Sequence, residues 1–124
     1  MSKSLLDNFY TISFMSEGNA TSFEAKITLN EKHPVYEGHF PGSPVTPGVV
    51  LVQMIKEILE KRLLKKLFLY EGDNIKFLAP VIPGNQSELT LQYTLSGEKE
   101  ITAQVNCMGG ETTFLKFKGK LKVV

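Results

Sequence analysis

His33 and His39 are the only imidazoles in the chain, and both fall within residues 33–55 together with four of the six prolines. A free imidazole titrates at about 6.5, close to the pH at which a general base must work. The stretch thus concentrates titratable side chains where the backbone is least free, which suits a site better than a spacer. It runs straight into an apolar segment that begins Thr46-Pro47-Gly48-Val49. Thr46 is expected to act as N-cap and Pro47 to occupy the first helical position, where a missing N–H costs nothing. The amides of Gly48 and Val49 would then sit at the positive end of the helix dipole, with no side chain on Gly48 in front of a visitor. A carbonyl oxygen could be polarised there.

Other candidates read more plainly. His33 precedes Pro34 and is expected to be a loop residue held extended by that proline. Two histidines six residues apart, with no carboxylate or cysteine at ligand spacing, make a poor metal site, so no metal is expected. Cys107, the single cysteine, lies on an apolar strand face and reads as core, with no neighbour in sequence to activate a thiolate.

The elements that must position these residues follow from periodicity. Residues 9–15 are aromatic and β-branched and suit a strand, and Glu17-Gly18-Asn19 supplies a turn. Phe23, Ala25, Ile27 and Leu29 alternate with polar residues, the signature of a half-buried strand paired with the first. Residues 47–65 contain no Gly or Pro after Gly48, so one helix is expected, buried over its first turns. Further along, Ile55, Ile58 and Leu59 face away from Lys56, Glu60, Lys61 and Arg62. Short strands at 67–70 and 75–79 are expected around a turn at Glu71-Gly72-Asp73-Asn74. Three alternating runs finish the chain, punctuated by Ser96-Gly97-Glu98 and Gly109-Gly110. The resulting order is β-β-α-β-β-β-β-β, an α+β arrangement in which an antiparallel sheet curls about one helix and a second subunit covers what remains.

Bulk properties exclude several classes. With 124 residues the expectation is one domain spanning 1–124, small enough to benefit from oligomerisation. Charged residues make up 22% and the formal net charge is +1, which gives no argument for nucleic acid or membrane as partner. No apolar run approaches the roughly 18 residues of a membrane span. The first eight residues lack a signal-peptide core, and a cytoplasmic location is expected.

Two blocks resemble the hotdog-fold β-hydroxyacyl-acyl-carrier-protein dehydratases of fatty-acid synthesis and their polyketide and aryl-polyene relatives. One is Gly38-His39-Phe40-Pro41-Gly42-x-Pro44-x-x-Pro47-Gly48-Val49, and the other is Ile75-Lys76-Phe77-x-x-Pro80-Val81-x-Pro83-Gly84. The resemblance implies a hotdog fold, with an antiparallel sheet wrapped around one long central helix, and a hydro-lyase that forms 2-enoyl thioesters. It further implies a homodimer or trimer of dimers, with the substrate carried on the phosphopantetheine of an acyl carrier protein and no other cofactor. His39 matches the catalytic base and the Gly48 amide matches the donor to the thioester oxygen. Phe40, Pro41, Gly42, Val49, Phe77 and Leu78 are candidates for binding substrate, and Phe40, Val49, Val50, Phe77 and Leu78 either line the acyl tunnel or belong to the core. Lys61, Arg62, Lys65, Lys66 and Lys76 are candidates for contact with an acidic carrier protein.

The family's acid stands fourteen residues after the histidine, and here that residue is Gln53. An amide can orient a hydroxyl but cannot supply a titrating proton. His39 could serve as both base and acid. Glu57, at i+4 and about 6 Å further along the helix, could replace the acid, although a solvated glutamate paired with Lys61 is the plainer reading. An acid-bearing paralogue could complete the site in a heterodimer, leaving this chain a non-catalytic or acyl-binding partner. The same oxyanion site could also serve an acyl thioesterase.

Overall fold

The computed structural model describes residues 8–36, 45–84 and 87–124. Within them one antiparallel sheet holds six strands: β1 (Tyr10–Met15), β2 (Ser22–Leu29), β3 (Leu67–Phe77), β4 (Glu88–Ser96), β5 (Glu100–Gly109) and β6 (Thr112–Val123). Their spatial order is β1-β2-β4-β5-β6-β3. A 3₁₀ turn at Pro34–Tyr36 and the helix α1 (Gly48–Leu63) separate β2 from β3. β1 and β3 are the edges.

The alternation in the sequence becomes the two faces of this sheet. Phe23, Ala25 and Ile27 of β2, Leu89, Leu91 and Tyr93 of β4 and Ala103, Val105 and Cys107 of β5 are buried, while the residues between them face out. One inward row crosses the sheet in register: Met15, Ala25, Leu91, Cys107, Leu115 and Phe77. α1 packs its Leu51, Met54, Ile55, Ile58 and Leu59 side onto this face. Burying each large aliphatic side chain contributes about 1.5–3 kcal/mol, so this seam dominates the stability of the helix. The Tyr93 hydroxyl fixes the position of the helix by donating to the Ile55 carbonyl at 2.9 Å in the core.

Three local expectations are corrected. The residues Glu71-Gly72-Asp73-Asn74 do not turn the chain. β3 runs unbroken opposite the long β6, and its register slips between Leu69 and Glu71 and again between Gly72 and Asn74. Small and polar residues that read as a turn therefore accommodate two bulges, and the sheet has six strands where seven were expected.

Thr46 does not cap the helix. Pro47 is the N-cap, without a side-chain cap bond, and helical residues begin at Gly48. The buried Thr46 hydroxyl instead meets the Tyr36 hydroxyl at 2.9 Å, and its amide donates to the Val81 carbonyl. Both bonds hold the loop before the helix against the core. The first turns of α1, expected to be buried, expose Val49 at 77%.

At its other end α1 is latched to the β1–β2 hairpin. Arg62 donates to the Ser16 carbonyl at 2.7 Å and to the Glu17 carbonyl, and its guanidinium lies 4.6 Å from the centre of the Phe23 ring. Phe23 in turn stacks on Tyr93. The chain leaves the helix through Leu64 in the left-handed conformation, φ 55°.

Candidate active site

Residues four apart on a helix lie on one face, so Val49, Gln53, Glu57 and Lys61 form a single stripe beside the buried seam of α1. Above the stripe, the helix start leaves donors outside the helical ladder. The amides of Val50 and Leu51 both reach the Pro47 carbonyl, so those of Gly48 and Val49 precede the first helical bond. Phe77, the edge member of the inward row, lies over this point. A Cβ placed on Gly48 would come within 2.6 Å of the Phe77 ring. Only glycine allows the ring to sit there, and the ring walls one side of the helix N-terminus. Val49, Phe77 and Leu78 are all exposed, giving the site an apolar rim.

Lower on the stripe the structure gathers a hydrogen-bonded chain. Gln53 Nε2 donates to Glu57 Oε2 at 3.0 Å, and the Tyr10 hydroxyl donates to Glu57 Oε1 at 3.3 Å. Lys61 Nζ donates to the Tyr10 oxygen at 3.1 Å and lies 4.7 Å from the centre of that ring. Glu57 is 4% exposed, so the plainer reading of a solvated glutamate is corrected: Tyr10 stands between it and Lys61. Burial, and then the Glu57 carboxylate, push the Tyr10 phenol far above its usual range, which keeps it a neutral donor.

His33 has a structural task. Its Nδ1 accepts the Val35 amide at 3.0 Å, and its ring meets Phe9 edge to face. Cys107 is buried and its thiol is pushed up to about 12 by desolvation, so it is core and no nucleophile near neutral pH. Of the basic residues, Arg62 and Lys61 make the bonds described, and Lys61, Lys65, Lys66 and Lys76 are exposed. Lys76 lies on the outer sheet face beside Lys116 and Lys118, at a hollow of about 450 Å³. Among the described residues no group of His, Cys, Asp or Glu is placed to hold a metal ion, and no helix is long and apolar enough to cross a membrane.

The structure thus joins Gly48 to Phe77, and Gln53 to Glu57. His39, Phe40, Pro41 and Gly42 lie outside the described residues. Tyr10 carried no sequence signal for the site. It is separated from Glu57 by 47 residues and reads only as part of the strand expected over residues 9–15.

A fold of one antiparallel sheet around a single helix, as the described residues form it, is that of the hotdog proteins. The dehydratase heterocomplex ApeI:P from Xenorhabdus doucetiae superposes with a TM-score of 0.74 at 19% identity, over 90% of this chain and 96% of the other. A hypothetical thioesterase with coenzyme A from Streptococcus pneumoniae shares the fold at a TM-score of 0.68 and 12% identity, over 98% of this chain and 91% of the other. The chain belongs to the ApeI-like family, described as ApeI dehydratase, which matches residues 15–116. It is also 36% identical over 95 residues to the 3-hydroxyacyl-[acyl-carrier-protein] dehydratase FabZ of Haemophilus influenzae strain PittEE. That match covers 70% of this chain and 62% of the relative's length.

Proposed function

We propose that this protein dehydrates 3-hydroxyacyl thioesters to 2-enoyl thioesters, in fatty-acid or specialised lipid or polyene synthesis. The observation that carries the reading is the helix start, where the amides of Gly48 and Val49 precede the first helical bond and the Phe77 ring packs against Gly48, within the dehydratase motif. A thioester oxygen bound there gains negative charge as the α-proton leaves, and oriented amides beside an apolar rim stabilise that charge. His39 removes the proton. The dehydratase relative of H. influenzae supports the assignment of substrate class.

The acyl group arrives on the phosphopantetheine of an acyl carrier protein, and side chains and backbone of the protein do the rest, without a further cofactor. Exposed Val49, Phe77 and Leu78 then line the acyl entrance, and Phe40, Pro41 and Gly42 are assigned to substrate binding by the motif they share with His39. Another subunit covers this apolar rim, in a homodimer or a larger assembly of dimers.

A second reading makes the chain one member of a heterodimer whose paralogue brings the acid that Gln53 lacks. The ApeI:P assembly, itself a heterocomplex, favours it. Turnover of a short 3-hydroxyacyl thioester by the purified protein, following enoyl absorbance and free thiol together, separates the readings. Enoyl product that disappears in His39→Ala supports the dehydratase. Silence of the wild type with product in Gln53→Glu supports the partner subunit, and release of free thiol points to hydrolysis instead.

A further inference from the structure

Two neighbouring rows of outward side chains cross β5, β6 and β3. Asn106, Lys116 and Lys76 stand in register in one, and Gln104, Lys118 and Asn74 in the other. All six are exposed and line the hollow of about 450 Å³ on the outer sheet face. Lys76 and Lys116 are therefore like charges placed directly opposite each other, which weakens a strand pair unless something neutralises them. Antiparallel pairing puts their Cα atoms about 5 Å apart, and Lys118 follows Lys116 about 7 Å along the strand.

The described residues do not supply the counter-charge. Among them the hollow is lined by no carboxylate, and Lys76, Lys116 and Lys118 form no ion pair. The acids of β3 are directed elsewhere: Glu71 pairs with Lys120 at 3.3 Å, and the field of Asp73 acts on the same ammonium. Glu24 shares the row of Lys116 but lies three strands away. Lys122, the last outward lysine of β6, lies over the Phe68 and Tyr70 rings.

We infer that this hollow binds a ligand with two linked phosphate groups, a diphosphate either free or at the end of a larger molecule. Three ammonium groups spread over this triangle are more than one phosphate can contact together, and flexible lysine stems let each settle on its own oxygen. Asn74, Gln104 and Asn106 add N–H donors for oxygens that only accept. The apolar lining residues, Val105 and Phe117, are buried, so a nucleobase would find no ring to stack on and recognition ends at the phosphates. A long polyanion laid along β6 would meet Glu71 and Asp73 beside Lys120, whereas a compact one avoids them. The hollow lies on the sheet face away from α1, and the inference does not depend on the dehydratase reading.

The test titrates sodium pyrophosphate into the isotope-labelled full chain at low salt and follows amide shifts residue by residue. Shifts should concentrate at 74–76, 104–106 and 116–118, with a dissociation constant of roughly 0.1–1 mM, as a few charge-assisted contacts at an exposed site allow. Inorganic phosphate should bind at least tenfold more weakly and ADP about as well as pyrophosphate. The double variant Lys116→Gln, Lys118→Gln should lose at least tenfold in affinity, while Lys122→Gln, on the same strand face outside the hollow, should lose nothing. Removing an opposed like charge from exposed positions should leave the thermal midpoint equal or higher, and Lys118→Gln alone should show the same loss in smaller measure. Shifts absent at 10 mM pyrophosphate, shifts spread evenly over the exposed lysines, or an equal loss in Lys122→Gln overturn the inference. So does tighter binding of poly-L-glutamate or duplex DNA than of pyrophosphate, which would assign the face to a macromolecule.

Discussion

The two ends of α1 are built on opposite terms. The C-terminal half is closed by the β1–β2 hairpin: Tyr10 covers Glu57, Arg62 holds two carbonyls of the turn, and Phe23 and Tyr93 stack beneath it. The N-terminal half has bare amides, an exposed Val49 and an exposed Phe77. Residues of the same stripe thus differ in what lies over them. A helix that is well anchored at one end can present its other end in a fixed place, and fixed donors are what a developing charge requires. Under the proposed function, stability and chemistry are divided along the length of the helix.

Breaking the closed end should cost most. Tyr93→Ala removes a buried ring and the bond to Ile55, and should lower unfolding free energy by about 3–5 kcal/mol in denaturant titration. A loss under 1 kcal/mol would mean that the stack contributes little to the anchoring. Alkaline pH should act next. Cys107 ionises near 9.0 when exposed and at about 12 in the fold, so the unfolded chain binds fewer protons between those values. Stability should therefore fall as pH rises above 9, by up to about 1.4 kcal/mol per unit, and Cys107→Ala should flatten that slope. Below pH 9 the thiol is neutral in both states and the slope it causes vanishes.

Arg62→Ala should cost about 1–2 kcal/mol through two lost carbonyl bonds and the contact with Phe23. Hydrogen exchange in the β1–β2 hairpin should rise while exchange at the helix start is unchanged. Unchanged exchange in the hairpin would show that the latch is dispensable.

The open end should respond in the reverse sense. Gly48→Ala forces the Phe77 ring aside, which an exposed side chain can do, so the fold should change by about 1 kcal/mol or less while thioester turnover falls at least tenfold. Equal losses of stability and turnover would erase the contrast between the ends. The smallest effect is expected at Leu64. Glycine fits its left-handed backbone better, and Leu64→Gly should raise stability by up to about 1 kcal/mol with turnover untouched.

The strands on either side of these ends were legible to different degrees. Alternation in 89–95, 101–107 and 115–123 fixes which side chains point inward, since a strand repeats every two residues whatever it pairs with. Local chemistry misled at Glu71-Gly72-Asp73-Asn74 and at Thr46. A long partner strand makes bulges of the first, and the nearby Tyr36 hydroxyl draws the second away from its cap. Neither partner is local in sequence.

The chain itself determined the α+β class, the single helix, its start near Gly48 and the dehydratase likeness, because periodicity, proline and glycine act over a few residues. Only the tertiary structure decided that Phe77 roofs Gly48 and that Tyr10 and Lys61 join the bonded pair of Gln53 and Glu57. A hydrogen bond depends on how the sheet edge folds back over the helix, and no local pattern encodes a contact between residues 10 and 57.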